Sequence, residues 1–118
     1  MTLSDFLKKL KESPETVDFS ETISVIDDNY SYHATAFKNG DLCNQAGEND
    51  GSCKILAFAC LQELSEKQTL ACFGSYYRED VLKHPDGDDH RNIRQFMKTG
   101  WEGVSFRSSP LVVKKTGG

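Results

Sequence analysis

CNQAGENDGSCKILAF, residues 43 to 58, decides how this chain is assembled. A polar run from Gln45 closes on Asn49, Asp50 and Gly51, residues that tolerate positive φ and favour turns. An uninterrupted apolar run, Ile55 to Leu61, follows at once. It is too broad for one face of a surface helix, so a helix here must lie at the buried centre of the fold. Ser52 is the expected N-cap, with the helix running from Cys53 to about Glu63.

Outward from that centre the chain reads as short elements. Phe6, Leu7 and Leu10 mark an amphipathic helix over about Ser4 to Lys11, which Pro14 terminates. Asp18 and Glu21 have capping-box spacing. Phe19, Ile23, Ile26 and Tyr30 then form one helical stripe, the expected core face of a helix ending near Asn29. YSYHATAF, residues 30 to 37, favours extended structure, and Asn39-Gly40 predicts a turn into a second strand around Leu42 and Cys43.

Beyond the central helix, Ser65 and Gln68 form a second capping box. Leu70, Phe73, Tyr77 and Val81 follow as one helical face that fades near Lys83. His84-Pro85-Asp86-Gly87 reads as a turn. Asp88 or Asp89 is the expected cap of a last helix, with Ile93, Phe96 and Met97 inward and Gly100 as its stop. Trp101 to Phe106 reads as a closing strand. The expected fold is therefore α+β, with a small, mostly antiparallel sheet packed with about five helices around the buried helix that starts near Cys53. One domain is expected over residues 1–107, with a mobile tail at 108–118.

The formal charge of −4 over 118 residues, with no basic stripe, speaks against nucleic-acid binding. No apolar segment approaches a membrane span, and the start lacks the apolar stretch of a Sec signal peptide. Synthesis in the bacterial cytoplasm as a monomer, without a cofactor, is the expectation. The cysteines at 43, 53, 60 and 72 contain no C-x-x-C pair, and reduced thiols are expected, with Cys60 and Cys72 in the core.

Cys53 is the sharpest chemical candidate, because a thiol at a helix N-terminus meets unpaired amides and the positive end of the macrodipole. Both favour the nucleophilic thiolate. The only histidines are His33, His84 and His90, and His90, flanked by carboxylates, is the expected base. Gln45, upstream of the GSC pattern, is the candidate oxyanion donor. This set is loosely similar to papain-like proteases, although Lys54 stands where those enzymes keep an aromatic. A small cysteine-dependent hydrolase using Cys53, His90 and Gln45 is thus one reading. A second is a metal or small-ligand site, for which His84, Asp86, Asp88 and His90 supply candidate ligands. Against it, Asp86, Asp88 and Asp89 are also what a helix start attracts through its dipole.

Three stretches carry a resemblance to a known family: TISVIDDNYSYHATAFKNG (22–40), NQAGENDGSCKILAFA (44–59) and TLACFGSYYREDVLKHPDGDDHRNIRQFMKTGW (69–101). From about Phe19 to Phe106 the chain resembles the HopJ (HopPmaJ-like) type III effector proteins. The resemblance implies delivery into host cells by a bacterial secretion needle, and action through a host or bacterial protein partner. It carries no catalytic residue onto Cys53 or His90.

Overall fold

A computed structural model describes residues 1–114. Helix α1 spans Leu3–Glu12, with the Thr2 hydroxyl accepting from the Asp5 amide at 3.0 Å. Helix α2 (Phe19–Asn29) starts as its capping spacing requires, the Asp18 amide donating to Glu21 Oε1 at 3.0 Å. Its inward face differs from the expected stripe: Thr22, Val25 and Ile26 are buried, whereas Phe19 and Ile23 are half-buried. The rotation follows from a polar anchor, since the fully buried Thr22 hydroxyl donates to the Cys72 carbonyl at 2.8 Å.

The expected first strand is two strands. β1 (Tyr30–Tyr32) and β2 (Phe37–Asn39) are separated at residues 33–36 because they serve different sheets. β2 forms a hairpin with β3 (Leu42–Asn44) and pairs on its other side with β4 (Val104–Phe106), while β1 pairs with β5 (Leu111–Val113). All three pairings are antiparallel. Gly40 closes the hairpin at φ +57°, where a Cβ would stand 2.2 Å from the Gln95 side chain. β5 corrects the expected mobile tail: Leu111 is buried, so the packed unit extends past Arg107. Residues 115–118 of that tail lie outside the described residues.

Helix α3 (Asp50–Leu61) is the central rod. Its run Ile55–Ala59 is buried throughout, and full burial of Leu56 or Phe58 contributes about 1.5–3 kcal/mol each. Phe58 meets Phe6 and Tyr30 edge-on, both with ring centroids 6.0 Å apart. The helix starts three residues before Cys53, at Asp50, with Asn49 rather than Ser52 as its N-cap. Asn49 sits in the left-handed region at φ +53°, a conformation asparagine tolerates.

Helix α4 (Glu66–Ala71) carries the full expected capping box: Gln68 N to Ser65 Oγ at 3.1 Å and Ser65 N to Gln68 Oε1 at 3.0 Å. The expected long helix beyond it is broken. Gly74 turns at φ +61° because the backbone of Phe19 lies against it, leaving no room for a Cβ. The chain then resumes as a π-helix, Tyr76–Val81. Helix α5 (Arg91–Thr99) buries Asn92, Ile93 and Phe96, and leaves Met97 exposed, contrary to expectation. Its N-cap is His90, not Asp88 or Asp89. After Gly100 a 3-10 turn through Gly103 precedes β4, which is shorter than the strand expected from Trp101. Cys60 is exposed, contrary to expectation, because α3 turns that face outward in its last turn.

Candidate functional site

The starts of α3 and α5 and the π-helix enclose a cleft of about 550 Å³. His90 lines it, held in the left-handed region at φ +48°. Its Nε2 pairs with Asp80 Oδ2 at 3.0 Å, and its ring lies against Tyr76 with centroids 5.0 Å apart. Both partners come from the π-helix, where Tyr76 and Asp80, four residues apart, reach the same ring. Such irregular turns concentrate at functional sites. Tyr76 meets Phe19 edge-on at 5.0 Å, so Phe19, Tyr76 and His90 form an aromatic row along one wall.

Asparagines form the polar wall. The Asn92 amide group donates to Asn44 Oδ1 at 3.0 Å and its Oδ1 accepts from Asn44 Nδ2 at 3.2 Å. Asn49 Nδ2 also donates to Asn44 Oδ1, at 2.8 Å. Behind them Asn39 Nδ2 donates to the Asn92 carbonyl at 2.8 Å, while the buried Asn39 Oδ1 has no partner among the described residues. Sequence reading missed this network. Its only local signal was an asparagine at each end of the β2–β3 hairpin, and the partner Asn92 lies far along the chain.

Cys53 does not reach this cleft. It sits one turn inside α3, 1% exposed, with its amide bonded to the Asn49 carbonyl at 3.0 Å. Burial pushes its thiol up, the Tyr32 hydroxyl draws it back down, and the Asp50 charge raises it again. The Tyr32 hydroxyl donates to Asp50 Oδ1 at 2.6 Å, and burial pushes that phenol up as well. Gln45 is exposed and lines a separate hollow beside β2 and β4. Cys53, His90 and Gln45 therefore lie in three different surroundings: a buried thiol, a cleft histidine and an outlying amide. The cysteine that lines the cleft with His90 is Cys43.

The His84–His90 segment is organised by Arg94. Its guanidinium donates to the His84 carbonyl at 2.8 Å, the Asp89 carbonyl at 2.6 Å and Asp89 Oδ1 at 2.6 Å. That clamp holds the Asp89 carboxyl below the usual carboxylate range. His84, Asp86 and Asp88 are exposed. Among the described residues no three His, Cys, Asp or Glu side chains are grouped to hold a metal ion, so the four candidate ligands do not converge.

A second concave surface is apolar. Ala57, Cys60 and Leu61 of α3 floor a groove of about 420 Å³ between β4 and β5. It adjoins a hollow of about 320 Å³ that adds Leu64 and Trp101, the two sharing Cys60, Val104 and Phe106. Among the described residues β4 and β5 each end their sheets, so each has one edge with no strand paired to it there. Gly40 N to Gly103 O and Arg107 N to Ala36 O are ladder bonds, and antiparallel pairs alternate. Phe106 therefore directs its N–H and carbonyl away from β2. By the same alternation, with His33 N bonded to Pro110 O, Leu111 directs its own away from β1.

Fold and surfaces together define a small α+β domain with a polar cleft at two helix starts and an apolar groove between two strand edges. The chain belongs to the family described as HopJ type III effector protein, whose model matches residues 3–111. Among solved structures it is similar to one titled "Crystal structure of unknown function protein VPA0580". The two share 54% identity and a TM-score of 0.95, covering 97% of this chain and 95% of that one. A search of curated proteins finds no match. No helix among the described residues is long and apolar enough to cross a membrane.

Proposed function

We propose that this protein is a type III effector that acts by binding, taking an extended segment of a partner protein, from host or bacterium, into the groove between β4 and β5. Family membership supports the effector role and delivery into host cells. The observation that carries the binding mode is the pair of free strand edges flanking an apolar floor. Main-chain groups of Phe106 and Leu111 offer hydrogen bonds to an added strand, and the floor of Ala57, Cys60 and Leu61 receives its alternate side chains. An unpaired apolar edge is otherwise an aggregation hazard, which a bound strand removes. The exposure of Leu61, at 54%, fits a side chain kept for a partner.

A display selection of random peptides against the folded protein tests the binding mode. Peptides alternating apolar residues are expected, their affinity falling at least about tenfold with Leu61→Lys. Selected peptides insensitive to Leu61→Lys, or no selected peptide at all, would overturn it. A reporter fusion delivered to host cells only by bacteria with an intact secretion needle tests the effector role, and delivery independent of the needle would refute it.

A further inference from the structure

We propose that the cleft beside His90 is a binding site for a small, uncharged heteroaromatic ring with a hydrogen-bonding edge, of the free-base or nucleoside class. The volume, about 550 Å³, lies within the range of about 300–1,000 Å³ that small-molecule sites occupy. The proposal concerns a different surface from the strand groove and stands independently of it.

The aromatic row supplies the platform. Tyr76 is 40% exposed although it lies inside a concavity, so ring surface is open to the cleft. Its neighbours are fixed in place. Phe19 packs against Gly51, where a Cβ would stand 2.8 Å from Phe19 Cζ, and Asp80 holds His90 at 3.0 Å. A rigid exposed aromatic surface binds a planar ring by stacking without ordering cost.

The asparagines supply the edge recognition. Asn49 is exposed at the cleft and spends one amide hydrogen on Asn44 Oδ1. Its second hydrogen and its own oxygen have no partner among the described residues, which leaves a donor and an acceptor side by side. That is the pattern with which a carboxamide pairs with an adenine-like edge. Asn44 holds the group from behind through its own bonds to Asn92, so the orientation is set before a ligand arrives.

Charge selects within the class. Glu48 and Asp88 line the cleft against Arg91, with Asp89 already paired to Arg94, so the lining side chains keep a small negative balance that disfavours a phosphate. The site therefore favours a base or nucleoside over the matching nucleotide.

Adenosine, cytidine and adenosine monophosphate, titrated into the protein with NMR detection, provide the test. Adenosine or cytidine is expected to shift the Tyr76 and His90 ring signals with saturation, and the monophosphate to bind at least several-fold more weakly. Tyr76→Ala, checked for native circular dichroism, is expected to weaken binding about tenfold or more, and Asn49→Ala several-fold. Ring signals unmoved by millimolar nucleoside would overturn the proposal, and so would a monophosphate that binds as well as the nucleoside. Unchanged affinity in folded Tyr76→Ala would do the same. Loss of peptide binding through the β4–β5 groove leaves these readouts untouched, so the two proposals fail separately.

Discussion

The Thr22 hydroxyl donates to the Cys72 carbonyl across 2.8 Å, joining α2 to the end of α4 in a fully buried contact. The last carbonyls of a helix lack intrahelical partners, so this hydroxyl satisfies a group that water cannot reach. Thr22→Val keeps the shape and leaves that carbonyl unpaired. A loss of about 1–3 kcal/mol is expected in urea unfolding with an unchanged m-value, and Thr22→Ser should retain most of it. A Thr22→Val protein as stable as the parent would show that the contact contributes nothing.

Gly74 is where α4 gives way to the π-helix, and its φ of +61°, together with the Phe19 backbone nitrogen 2.6 Å from where a Cβ would stand, forbids a side chain. Gly74→Ala therefore meets left-handed strain and a backbone clash together. It should destabilise by more than about 2 kcal/mol, and it should disturb the Tyr76 and Asp80 contacts that orient His90. Thermal melts paired with the His90 NMR signals check both. A stable variant with an altered His90 environment would separate packing from positioning.

Much of this architecture was legible beforehand because its causes are local. The apolar run Ile55–Leu61 predicts a buried helix, which holds as far as Ala59, and the Ser65–Gln68 box predicts where α4 begins. What failed depended on contacts distant in sequence. Gly74 breaks a good helical stripe only because Phe19 lies against it, and His33–Ala36 break a good strand only because β4 and β5 arrive from the other end of the chain. His90 was legible as a site residue by its type. Its partners Asp80 and Tyr76 were not: four residues apart, they share one helix face, but that this face meets His90 depends on how the π-helix packs against the start of α5.

The thiols offer a direct check on the cysteine chemistry. Cys43 and Cys60 are exposed, whereas Cys53 and Cys72 are buried. Burial pushes the Cys72 thiol up to about 12 and raises that of Cys53, so both stay protonated at neutral pH. A disulfide reagent should therefore label Cys43 and Cys60 in a fast phase, and Cys53 and Cys72 only as the fold opens. Mass mapping of partly labelled protein assigns the phases. Labelling of Cys53 faster than an unfolded cysteine would restore it as a nucleophile.

Arg94 ties the His84–His90 segment together, and the pH dependence of that tie follows from Asp89. The hydrogen bond from Arg94, more than its charge, holds the Asp89 carboxyl below the usual range. A carboxyl depressed in the folded state contributes stability above its unfolded value, near 3.9, and loses that contribution as pH falls through the folded value. The stability gap between parent and Arg94→Met should thus be widest near neutrality and narrow below about pH 4. It should not close, because the bonds from Arg94 to the His84 and Asp89 carbonyls do not titrate. Carboxyl carbon shifts of Asp89 should titrate lower in the parent than in Arg94→Met, and the freed segment should become a protease site around Pro85 to Asp88. Equal titration in the two proteins would remove the clamp from the account of how His90 is presented to the cleft.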